Sequence, residues 1–104
     1  MPKNQIKKIV GKYGRTLKKA GYQFSALYLF GSYAKGKAHR WSDIDVAIVT
    51  NRLKANRDEN SLLLWKMRRD VDTRIEPHGF TVKEFANPAD PLAHEIKKTG
   101  IRVE

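Results

Sequence analysis

The sequence predicts an α/β layer fold, with a small sheet flanked by helices. Three observations support this. Apolar residues near the N-terminus recur at helical spacing, and two short apolar runs centred on residues 27 and 46 read as strands. Helical and strand-like segments then alternate along the chain, the pattern of a layered sheet-and-helix fold. At 104 residues the chain has room for one modest core, so residues 1–104 are expected to form a single domain.

Each element has a local cause. Asn4 is a suitable N-cap for a helix to about Ala20, in which Ile6, Ile9, Val10, Tyr13 and Leu17 share a face and lysines fill the rest. Gly21 stops it. Phe24 to Phe30 reads as a buried strand ended by Gly31, and Ser32 to about Lys35 as a short helix. Gly36 to Ser42 is a polar loop before a second strand, Asp43 to Val49. A basic connection, Asn51 to Arg57, precedes a helix from Asn56 to about Asp70, where Asn56 and Glu59 resemble a capping box. Its Leu62, Leu63, Trp65 and Met67 are expected to be apolar contacts, with Trp65 in the core. Thr73 to Pro77 is a short third strand that Pro77 ends or confines to a sheet edge. The turn Asn87-Pro88-Ala89-Asp90-Pro91 opens a last helix, Leu92 to Thr99, capped by Gly100 before a short strand at Ile101 to Val103.

Composition excludes several function classes. With no cysteine there is no disulfide framework, thiolate zinc site or cysteine nucleophile. No apolar run approaches the roughly 20 residues of a membrane span, and the charged N-terminus lacks the apolar segment of a secretory signal. The expectation is a cytoplasmic protein with no membrane partner. The formal charge is +10, and it is concentrated in the first half, where Asp43 and Asp45 are the only acids. Two carboxylates in so basic a segment suit a polyanionic substrate with a divalent metal. The same charge also fits a nucleic-acid-binding module, although the chain has no established recognition motif or aromatic stacking platform.

The segment FGSYAKGKAHRWSDIDVAIV, residues 30–49, carries the chemistry. On a strand Asp43 and Asp45 point to one side, while Ile44, Val46 and Ile48 point to the other. Paired carboxylates are the minimum ligand set for a two-metal site, and oxygen ligands favour Mg²⁺ or Mn²⁺ over zinc. Gly31 permits close backbone approach to a phosphate, Ser32 adds a hydroxyl and N–H groups, and Lys35, Lys37 and Arg40 could balance further charge. His39, His78 and His94 lack mutual ligand spacing and read as surface or packing residues, with His78 near enough to Glu76 to touch substrate. Trp41 is either a base-stacking group or a plug beneath the loop. Tyr33 is open between facing the nucleotide and being modified.

These residues closely resemble the Gly-Ser, then Asp-x-Asp, signature of the DNA polymerase β-like nucleotidyltransferase superfamily. Length and element order look most like its minimal nucleotidyltransferase branch. The resemblance implies a small mixed sheet flanked by helices and a triphosphate held by Gly31 and Ser32. It also implies two Mg²⁺ ions on Asp43 and Asp45, and a third carboxylate on a neighbouring strand. Glu76 is the candidate for that role, with Asp72 next. The implied reaction moves a nucleoside monophosphate, AMP from ATP, to an acceptor hydroxyl. Such proteins are commonly paired, as antitoxins, with a helical HEPN-type partner. A noncatalytic antitoxin or nucleotide-binding partner protein is the alternative.

Overall fold

The computed structural model describes residues 3–39 and 42–104. Ile6, Val10, Tyr13 and Leu17 form the buried stripe of helix α1, Lys3–Lys19, and Lys8, Lys12, Lys18 and Lys19 stay exposed. The backbone turns out of α1 at Gly21, whose φ of 80° suits a residue without a Cβ. Strand β1, Ala26–Phe30, then pairs antiparallel with β2, Ile44–Val49, which places Phe30 opposite Asp45.

The helix expected at Ser32 to Lys35 does not form. The segment makes two successive turns, with Lys35 N–H bonded to the Gly31 carbonyl and Lys37 N–H to that of Ser32. Glycines with positive φ, Gly31 and Gly36, bracket it, and the few residues between them cannot offset the cost of nucleating a helix.

β2 and β3, Ile75–Phe80, run parallel, which requires a crossover. That crossover contains α2, Arg52–Ala55, in place of the expected simple connection. It continues through α3, Arg57–Met67, and a 3₁₀ turn at Arg68–Asp70. Asn56 caps α3 as expected, accepting from the Glu59 N–H at 3.0 Å. Trp65 does not enter the core: it is 41% exposed beneath the Arg68 guanidinium, and Leu62 is 53% exposed. The inward positions of α3 are Asn60 and Leu64. Asn60 can be buried because its amide donates to the Arg52 and Asn56 carbonyls and accepts from the Arg52 Nε–H.

β3 runs straight through Pro77 to Phe80. Pro77 is tolerated because the sheet order is β3-β2-β1-β4, which puts β3 at an edge. A short helix not anticipated from the sequence, α4 at Val82–Ala86, is closed by a capping box between Thr81 and Glu84. Helix α5, Pro91–Thr99, is capped by Asp90, and β4, Ile101–Arg102, pairs antiparallel with β1.

The mixed sheet separates two cores, as the α/β expectation requires. Ile44, Val46 and Ile48 pack with Leu27, Leu29 and the α1 stripe on one face. Ala47 and Val49 pack with Phe80, Phe85 and Ile96 on the other. Each fully buried large aliphatic side chain contributes about 1.5–3 kcal/mol. Among the described residues, no helix is long and apolar enough to cross a membrane.

Candidate active site

The site is assembled by register. Asp45 is the partner of Phe30 across the antiparallel pair and of Glu76 across the parallel pair, so β2 carries it between two neighbours. Its position also depends on Gly31. A Cβ at residue 31 would lie 2.3 Å from Asp45 Oδ2, and φ there is 74°, so both space and backbone exclude a side chain. Beyond the phosphate contact expected of Gly31, its missing side chain makes room for the Asp45 carboxylate.

Glu76 faces both aspartates. Burial, repulsion from Asp45 and a carboxyl–carboxyl hydrogen bond with Asp43 hold its proton affinity above the usual carboxylate range, with nearby His78 pulling the other way. Asp43, exposed just before β2 rather than on it as expected, Asp45 on β2 and Glu76 on β3 form a set of carboxylates that a divalent cation would stabilise.

His78 lies beside them, which adds to its reading as a packing residue near Glu76. Its Nε2 lies 3.5 Å from Asp45 Oδ1 and 3.8 Å from Glu76 Oε1. That nitrogen is buried and has no hydrogen-bond partner among the described residues, while the ring packs in an edge geometry with Phe30. Ligand-capable atoms of Asp45, Glu76 and His78 all lie within 4.8 Å of one another. The available signal was the two-residue step from Glu76, which puts both side chains on one face of a strand.

Residues 5–98 match the nucleotidyltransferase domain family. The chain belongs to that family. Three solved structures share the fold of this nucleotidyltransferase domain. One, from Sulfolobus solfataricus, carries a provisional nucleotidyltransferase name; it has a TM-score of 0.67 and 16% identity over 96% of this chain and 80% of that one. A toxin-antitoxin crystallised with AMP-PNP has a TM-score of 0.59 and 23% identity over 89% of this chain and 70% of its own. The third is a mutant of the toxin-antitoxin MntA-HpeT in which two aspartates, two positions apart, are changed to glutamate. It has a TM-score of 0.52 and 22% identity over 100% of this chain and 73% of that one. No curated protein matches the sequence at a significant level.

The other predicted positions of the nucleotidyltransferase domain fall out as follows. Ser32 is half-buried in the turn after β1, beside Gly31. Lys35 forms an ion pair with Glu95 of α5, and Lys37 is exposed. Arg40 and Trp41 lie outside the described residues. Tyr33 turns into the core, in side-chain contact with Arg74. Asp72 is gripped by Arg74, with bonds of 3.0 and 2.7 Å from the guanidinium and 2.9 Å from the backbone N–H. Those hydrogen bonds hold its carboxyl below the usual range and commit it away from the Glu76 cluster. Elsewhere, a cleft of about 560 Å³ between α1 and β4 is lined by Lys7, Lys8, Arg15 and Arg102, and it includes none of the clustered acids.

Proposed function

We propose that this nucleotidyltransferase transfers AMP from ATP to an acceptor hydroxyl, as the antitoxin partner of a helical HEPN-type protein in the minimal nucleotidyltransferase branch. The observation that carries the reading is the Asp45–Glu76 register, which sets a third carboxylate beside the Asp43/Asp45 pair. Asp43, Asp45 and Glu76 would hold the metals. Two Mg²⁺ ions, or Mn²⁺ in their place, would neutralise the triphosphate and favour ionisation of the acceptor hydroxyl.

The chain's own groups do the rest. Gly31 and Ser32 offer backbone N–H groups and a hydroxyl to the triphosphate, with Lys35 and Arg40 as further cationic contacts. For Lys35 this role requires release from Glu95, an exposed pair of the kind that contributes little stability. Glu76 takes the proton of the acceptor hydroxyl as the acceptor oxygen bonds the α-phosphorus, and the bond from that phosphorus to the departing pyrophosphate breaks. The antitoxin role rests on the fold shared with toxin-antitoxin structures, one of them crystallised with AMP-PNP.

The test is transfer of label from α-phosphate-labelled ATP to the HEPN-type partner. Asp43→Asn and Asp45→Asn should each lower transfer by more than about 100-fold, since even groups that only support a ligand are worth about 10–100-fold. Circular dichroism should be unchanged. Glu76→Gln should slow transfer strongly and spare most ATP binding. Neutralisation of the partner by a protein that transfers no label would replace this reading with a noncatalytic antitoxin. Binding of RNA with a steep salt dependence, and no transfer, would favour a nucleic-acid module acting through the α1–β4 cleft.

A further inference from the structure

We propose that His78 is a metal ligand, its Nε2 completing with Asp45 and Glu76 a set of two carboxylates and one imidazole that favours Mn²⁺ over Mg²⁺. The inference rests on the metal-dependent reading of this site and specifies which ion the site prefers.

Distance is the first argument. A hydrogen bond from imidazole to a carboxylate spans about 2.7–3.2 Å. The two separations here, 3.5 and 3.8 Å, are both too long for that. Two ligands on one ion at roughly 2.1 Å are about 3.0 Å apart when adjacent and about 4.2 Å apart when opposite. Both His78 separations fall inside that interval. The ligand atoms of all three residues lie within 4.8 Å of one another, so a small side-chain adjustment brings them onto one ion.

Burial is the second argument. A buried polar nitrogen is almost always satisfied, yet His78 Nε2 has no hydrogen-bond partner among the described residues, and it lies beside the Asp45 and Glu76 carboxylates. The side chain as a whole is about 30% exposed, but its ring packs in an edge geometry with Phe30 at 5.1 Å between centroids, which holds Nε2 on the acid side. Phe30 is itself buried and is the register partner of Asp45, so the strand that positions the aspartate also fixes the imidazole.

Chemistry supplies the preference. Mg²⁺ is a hard ion that favours oxygen and retains its waters, whereas imidazole nitrogen suits first-row transition ions. Replacing one oxygen ligand by nitrogen therefore shifts the site away from Mg²⁺. Mn²⁺ combines tolerance of carboxylates with acceptance of a nitrogen ligand, and its unpaired electrons report that nitrogen directly.

The experiment uses the full chain without an affinity tag, in a nitrogen-free buffer, with Mn²⁺ or Mg²⁺ alone as the probe. Electron spin-echo spectra of bound Mn²⁺ should show coupling to a directly attached ¹⁴N. The pattern should become that of ¹⁵N when the chain is made with ¹⁵N-histidine, a check that needs no mutation. The chain has three histidines, so His78→Gln assigns the signal by removing it. By calorimetry that variant should bind Mn²⁺ about tenfold more weakly and Mg²⁺ within about threefold of the parent. Mn²⁺ that binds in an Asp45-dependent way but shows no nitrogen coupling would overturn the role of His78 and leave the carboxylate site standing. Coupling that persists in His78→Gln would do the same. Metal binding indifferent to Asp45→Asn would remove both this inference and the reading beneath it.

Discussion

The two faces of β2 are only one residue apart in sequence, yet they do different work. Ile44, Val46 and Ile48 are fully buried beneath α1 and α3. On the opposite face, Ala47 and Val49 join the α4–α5 core, while Asp45 at the near end opens onto Glu76 and His78. The even-numbered face holds the fold alone. The odd-numbered face divides between a core and the site, so strand alternation lets one six-residue element carry rigid support and chemistry together. A one-residue slip would exchange them.

Substitutions on each face should separate stability from transfer. The largest effect is expected from Ile48→Ala, which deletes buried volume and should cost about 2–5 kcal/mol in chemical denaturation. Transfer per folded molecule should stay near the parent value; loss of transfer with stability intact would break the division between faces. Gly31→Ala comes next. Its left-handed backbone costs about 1–2 kcal/mol with a Cβ, and the new methyl would displace the Asp45 carboxylate. Misplacement of a reacting group by about 1 Å can cost 10²-fold, so transfer should fall by about that factor while most molecules remain folded. Normal transfer would show that Asp45 does not depend on this contact. The smallest effect is expected at Trp65, outside both faces. Trp65→Ser should change stability by less than about 1 kcal/mol, the scale of an exposed cation–π contact, against about 3–5 kcal/mol for a tryptophan in a core.

Much of this division was legible in the sequence, because it depends on alternation and local spacing. The inward turn of Ile44, Val46 and Ile48 and the capping of α3 by Asn56 both follow from neighbours a few residues apart. What was hidden depends on tertiary partners. Trp65 is read as core because it is large and apolar, but α3 sends Asn60 and Leu64 inward, and Asn60 is admitted by bonds to Arg52 and Asn56 that lie outside the helix. His78 joins the acids only through a parallel register with a strand some thirty positions earlier, in which it pairs with Ala47. The continuation of β3 past Pro77 depends on the strand's place in the sheet. The capping box of Thr81 and Glu84 that opens α4 is, by contrast, a local signal.

Pro77 has an effect at the scale of molecules meeting one another. The carbonyls of Arg74 and Phe80 accept from Ile44 and Thr50, so the even-numbered residues of β3 direct their backbone groups toward β2. Alternation then turns Pro77 toward the open side, where it interrupts the row of donors at the middle of the strand. At the far edge, β4 offers only Ile101–Arg102. Neither border can template a long added strand. Sheet-to-sheet growth between copies is thereby disfavoured, and an associating protein must be recognised by side chains rather than by β-addition.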